Sequence, residues 1–99
     1  MLLILGTVRL PPENLPRARA AMERMIAASR AEDGCLDYAY AQDVLDPGLI
    51  RISERWRDRA SLDAHFAAPA IAEWRSTWPD LGITGRDLFV YETDGPNPV

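Results

Sequence analysis

Two stretches of period-two hydrophobicity, residues 36–44 and 49–57, sit in the middle of the chain with turn chemistry at Asp46-Pro47-Gly48 between them. A central hairpin with strand-like and helix-like segments on both sides leaves few ways to arrange 99 residues. In the first stretch Leu36, Tyr38, Tyr40 and Val44 fall on one side, with Asp37, Ala39, Ala41 and Asp43 on the other. In the second, Ile50, Ile52, Glu54 and Trp56 oppose Arg51, Ser53, Arg55 and Arg57. Opposite charges facing across strands are favoured. That rule predicts Asp43 opposite Arg51 and Asp37 opposite Arg57, which sets Tyr40 beside Glu54 and Tyr38 beside Trp56.

The flanks complete the pattern. Residues 2–10 are nearly continuous in apolar side chains and read as a buried strand stopped by Pro11 and Pro12. Asn14 is the expected N-cap of a helix with Pro16 in its first turn. Leu15, Ala18, Met22, Met25, Ile26 and Ser29 recur along it at helical spacing, and Gly34 is expected to end it in a left-handed conformation. After the hairpin, Asp58 is expected to cap a short helix with Leu62, His65 and Phe66 on one face. Pro69 breaks it, and a second piece carries Ile71, Trp74 and Trp78. Residues 79–85 read as a loop, 86–93 as a last strand and 94–99 as a frayed tail.

The order β-α-β-β-α-β predicts one α+β domain over residues 1–99, with a ferredoxin-like four-stranded antiparallel sheet and both helices on one face. By parity Leu3, Leu5, Ala39, Ala41, Phe89 and Tyr91 point to the opposite face. A second subunit is the simplest cover, and a chain this short gains from the extra burial, so a homodimer is expected.

Composition narrows the function classes. All eleven basic residues are arginine, scattered along a chain of net charge −4, which argues against a nucleic-acid partner. Cys35 is the only cysteine, so an internal disulfide or a multi-cysteine metal site is excluded. No signal-peptide pattern and no membrane-length apolar run is present, and a cytoplasmic protein is expected. There is no glycine-rich phosphate loop, dinucleotide fingerprint or nucleophile elbow, so nothing predicts a flavin or nicotinamide site.

The residue that stands out is Glu54, a carboxylate between Ile52 and Trp56 on an apolar face. Burying it costs free energy unless it is paired or protonated. With Tyr38, Tyr40, Trp56, Phe66, Trp74 and the inward face holding His65, it could line an aromatic pocket with a few polar groups. His65, the only histidine, rules out a histidine-pair metal site and has the chemistry of a general base or acid near neutrality. Each has a plainer reading: Glu54 bonded to a tyrosine hydroxyl or to His65, His65 as a structural side chain, and the aromatics as core.

These residues also carry a resemblance. Ser29-Arg30-Ala31-Glu32-Asp33-Gly34-Cys35-Leu36-Asp37-Tyr38, then Glu54-Arg55-Trp56, then Ser61-Leu62-Asp63-Ala64-His65-Phe66 and Pro69, are similar to the helix-to-strand junction, third strand and second helix of the antibiotic biosynthesis monooxygenase family and its quinol monooxygenase relatives. The resemblance implies a dimeric α+β barrel with a pocket between sheet and helices. It further implies oxidation of a small aromatic, phenol or quinol by molecular oxygen with no metal or organic cofactor. His65 would then accept a proton or bond the substrate hydroxyl, Glu54 would orient a neighbour, and Tyr38, Tyr40, Trp56, Phe66 and Trp74 would form the walls. Haem-degrading relatives use an asparagine in the first strand with a histidine iron ligand; here that strand has no asparagine and Asn14 lies beyond it, which weakens a haem reading, while His65 leaves it open. The alternatives are a non-catalytic dimeric module that binds a small ligand or serves a larger enzyme, and an isomerase on the same fold. An open cavity at His65 favours an enzyme, and a core filled by Trp56, Trp74 and Phe66 favours the module.

Overall fold

Leu2, Ile4 and Val8 alternate with Leu3, Leu5 and Thr7 along β1 (Leu2–Arg9), and only the first set is fully buried. In the computed structural model, which describes residues 1–99, β1 leads through a 3-10 turn (Pro12–Asn14) into α1 (Leu15–Arg30). Then come β2 (Cys35–Gln42), β3 (Leu49–Trp56), α2 (Arg59–Ala67), α3 (Pro69–Ser76), the single turn α4 (Trp78–Leu81) and β4 (Thr84–Glu92). The strand order is β2-β3-β1-β4, with every neighbouring pair antiparallel. This is the expected ferredoxin-like sheet.

One face of the sheet presents Tyr38, Ile50, Ile52, Trp56, Leu2, Ile4 and Val8, all buried beneath the helices. Onto it α1 lays Ala18, Met22, Met25 and Ser29, and α2 lays Leu62 and His65. The opposite face leaves Leu5 44%, Phe89 57% and Tyr91 51% exposed.

Several local expectations change. The Asn14 side chain does not cap α1; the 3-10 turn has already placed its backbone in a helical conformation, and its amide donates to the Leu81 carbonyl at 2.9 Å. Gly34 does not terminate α1, which stops at Arg30. It serves the next turn instead, at φ +81° against the side chain of Ser61, where any Cβ would collide. Of the loop expected over 79–85, residues 79–81 belong to the helical turn Trp78–Leu81, and β4 starts at Thr84.

The hairpin register is the largest correction. Tyr38 faces Glu54, Tyr40 faces Ile52 and Asp37 faces Arg55, a slip of two residues from the charge-derived pairing. Asp43 causes it: its carboxylate accepts the amides of Leu45 (3.0 Å) and Asp46 (2.9 Å), closing a longer loop two residues earlier than Asp46-Pro47-Gly48 would. Arg51 still reaches Asp43 at 2.8 Å, as a diagonal pair, while Arg57 turns to Asp33 and Asp58. Val44 falls in that loop, and Leu36 is the extra residue of a bulge between Cys35 and Asp37, so both leave the buried face.

The other glycine with a strict role is Gly6, in the middle of β1 and opposite Leu88 in β4. A Cβ there would meet the Asp87 carbonyl and Leu88. Gly6→Ala is therefore expected to push β4 away from β1 and to lower the unfolding free energy by about 1–3 kcal/mol. Urea denaturation checks this; an unchanged midpoint would show that β4 is free to shift.

Candidate active site

The slipped register decides which groups meet. Tyr38 and Glu54 are cross-strand partners, with Tyr40 one step along, so two phenols and a carboxylate share the helix-facing side. The two hydroxyls bond each other at 2.7 Å. Trp74 of α3 stacks on Tyr40 with ring centres 5.8 Å apart, and Trp78 meets Trp74 edge-on. From α2, His65 lies 4.6 Å from the Trp56 ring and 5.6 Å from those of Tyr38 and Phe66.

Between these groups and β4 is a cavity of about 150 Å³. Space of that order holds a single aromatic ring. Tyr38, Tyr40, Glu54, His65, Phe66 and Trp74 all line it. Of the seven residues expected at the site, Trp56 alone stands behind the wall: it is wholly buried beneath His65 and reaches the site through Glu54.

Glu54 is 5% exposed and its Oε1 accepts the Trp56 indole N–H at 3.0 Å. A tyrosine hydroxyl or His65 was the expected partner. Burial pushes its carboxyl above the ordinary range, against the opposing pull of the Trp56 bond, His65 and Arg86. Burial likewise raises both tyrosines, helped at Tyr38 by the charge of Glu54, so they act as hydroxyls and not as phenolates.

His65 is 1% exposed, and its Nδ1 lies 2.9 Å from Glu32 Oε2. A carboxylate can only accept, so Nδ1 donates and a neutral ring carries its lone pair on Nε2. No protein group bonds Nε2, and Glu32 lies outside the cavity lining. The free nitrogen is thus the one left for a ligand.

Glu32 is held in place by its neighbours. Arg57 grips Asp33 with two bonds of 3.0 and 3.3 Å, Asp58 at 3.2 Å and Ser61 at 3.2 Å. Asp58 caps α2 as expected, accepting the Ser61 amide at 2.8 Å and its hydroxyl at 2.7 Å. The Ser61 bonds, with Arg57 behind them, pull the Asp58 carboxyl down to about 2. One junction therefore fixes both the helix bearing His65 and the turn bearing Glu32.

The family model for antibiotic biosynthesis monooxygenases matches residues 1–77. The chain belongs to that family. A Deinococcus radiodurans protein described as a candidate antibiotic biosynthesis monooxygenase has a TM-score of 0.91 at 26% identity, over 100% of this chain and 98% of that one. Rv0793 of Mycobacterium tuberculosis is 35% identical over 70 residues, 71% of this chain and 68% of its own length. Its structure gives a TM-score of 0.75 over 98% of this chain and 96% of that one. The Synechocystis protein sll1783 is 29% identical over 91 residues, 92% of this chain, which spans 62% of that relative's length.

Within this antibiotic biosynthesis monooxygenase fold, the site holds groups that sequence reasoning missed. Glu32 is 33 residues from His65, with no spacing that links them. Arg59, Arg75, Arg86 and Trp78 also line the cavity, each from a different segment. No three His, Cys, Asp or Glu side chains converge as a metal-ligand set. No helix is long and apolar enough to cross a membrane.

The raised carboxyl of Glu54 has a stability consequence. Its favourable contribution is complete below the unfolded carboxyl pKa and is lost as pH rises through the higher folded value. Glu54→Gln keeps an acceptor for Trp56 and removes the buried charge. It is expected to raise Tm near neutral pH by roughly 4 °C, with the gain vanishing below about pH 4. Thermal melts across pH check this; an equal gain at pH 3 would place the effect elsewhere.

Proposed function

We propose that this protein is a cofactor-independent monooxygenase that oxidises a small aromatic, phenol or quinol with molecular oxygen. The observation that carries the reading is the open aromatic cavity with His65 in its wall, Nδ1 anchored on Glu32 and Nε2 unpartnered. An open cavity at that histidine is what separates an enzyme from a packed binding module. Membership of the family supports oxygen as co-substrate, as does similarity to Rv0793, whose name describes a candidate monooxygenase.

The chemistry needs only these groups. Nε2 takes the proton of a substrate hydroxyl, and the aryloxide gives one electron to oxygen. The resulting radical pair joins at a ring carbon bearing hydrogen, forming a C–O–O bond that is protonated to a hydroperoxide. Loss of water, with that carbon's hydrogen, leaves a carbonyl. One oxygen atom ends in product and one in water, and the substrate supplies all four electrons. Tyr40, Trp74 and Phe66 hold the ring, while Glu32 orients the base and offsets the charge it gains.

The apolar outer face of the sheet, with Leu5, Phe89 and Tyr91 exposed, supports a homodimer with a second copy seated on it. The single free thiol, Cys35, suits a reducing cytoplasm.

His65→Ala is expected to lower kcat/KM for oxygen uptake on a quinol by about 10²–10⁴-fold, mainly in kcat, and Glu32→Gln by less. An oxygen electrode with no added cofactor measures both; full activity in His65→Ala would remove the histidine from the mechanism. Sedimentation should give twice the 11.1 kDa chain mass, and Phe89→Arg should return it to a monomer. A wild-type monomer would end the dimer reading.

A further inference from the structure

Arg59, Arg75 and Arg86 line the cavity from α2, α3 and β4. Three cations at one largely apolar opening run against a chain of net charge −4. The chain's other arginines are mostly engaged. Arg9, Arg24, Arg51 and Arg57 face carboxylates, and Arg17 and Arg30 donate to backbone carbonyls. Arg59 has Glu92 at 3.6 Å, but Arg75 and Arg86 make no ion pair and no side-chain hydrogen bond. Arg19 and Arg55 are also unpartnered and line no part of this cavity.

Glu54 does not account for the pair. It is the only acid in the lining, it is buried, and its Oε1 is taken by Trp56. Arg86 acts on its charge from a distance, but the two form no salt bridge, and Arg75 has no counter-ion at all. Two exposed guanidinium groups beside a low-dielectric cavity form an anion trap, because apolar walls concentrate their field and their planar forks match a carboxylate. The interior of about 150 Å³ is filled by one ring, so a charged substituent must sit at the opening where these arginines are.

We infer that the cavity takes a hydroxylated single-ring aromatic carboxylate, with the ring against Tyr40, Trp74 and Phe66, the hydroxyl towards His65 and the carboxylate on Arg75 and Arg86. This deepens the proposed function and rests on its reading of the cavity as the aromatic site. Arg59, tied to Glu92, adds to the field without gripping the anion.

Calorimetric titration of the full chain separates the two claims without needing turnover. The probes are 3-hydroxyphenylacetate and its neutral amide, 3-hydroxyphenylacetamide. The acid is expected to bind about tenfold more tightly, with a preference that shrinks as salt is raised. Arg75→Gln with Arg86→Gln should bring the acid-to-amide ratio close to one, while Arg19→Gln leaves it as in the wild type. Circular dichroism confirms that the variants fold, as expected for exposed side chains. Equal binding of acid and amide would overturn the carboxylate assignment and leave the aromatic site standing. A preference that survives loss of both arginines would overturn their role. Binding of neither probe would overturn both readings.

Discussion

Pro69 holds the preceding Ala68 in an extended conformation (φ −73°, ψ 145°), so the second helical layer cannot run as one rod. The first half, α2, stays over the sheet with Leu62 and His65 turned inward. The second half, α3, moves across to α1, where Arg24 and Glu73 come within 4.0 Å. Neither half covers the inner side of β4, and Val90 there remains 45% exposed. The cavity is the space left between the broken layer and that strand. In a continuous helix Trp74, nine residues beyond His65, would stand about 180° around the axis from it and could not share the wall with it.

Inside that gap two polar side chains are each tied at one atom and free at the other. Trp56 holds Glu54 by Oε1, and Glu32 holds His65 by Nδ1. Leaving a buried carboxyl with a single partner costs free energy. The second pair is anchored by the turn at residues 32–34. Glu32 reaches α2, Asp33 is gripped by Arg57, and Gly34 lies against Ser61 while its carbonyl accepts the Arg57 amide at 2.8 Å. Three consecutive residues contact three different partners, so the orientation of the imidazole is set by several independent contacts.

Much of this was legible in the chain. Period-two alternation placed Tyr38, Tyr40, Glu54 and Trp56 on the helix-facing side, and that assignment survived a wrong register because a slip of two residues preserves the face. The register itself was not legible: opposing charges allow both Asp43–Arg51 straight across and the same pair on a diagonal. The choice lay with the Asp43 carboxylate closing its own loop. Glu32 was invisible because its contact depends on how the α1–β2 turn packs against α2. The same holds for Arg75 and Arg86, which no periodicity connects. Trp56 and Trp74 were both expected in the wall and both are buried, but Trp74 on α3 lines the cavity while Trp56 on β3 lies behind it, under His65.

Strand β4 joins the two uncovered regions of the molecule. Arg86, Leu88, Phe89 and Val90 all border the cavity, while the side chains of Phe89 and Tyr91 are 57% and 51% exposed on the strand's alternate, outer side. It is also an edge strand, hydrogen-bonded on one side only, to β1. Its position therefore depends on the close approach that Gly6 permits and on whatever covers the outer face. A second copy seated over Phe89 and Tyr91 would bury apolar surface and, through the same backbone, restrain the strand that carries Arg86. In such a dimer, assembly and ligand binding would bear on one strand, and the position of Arg86 at the cavity would depend on the contact over Phe89 and Tyr91.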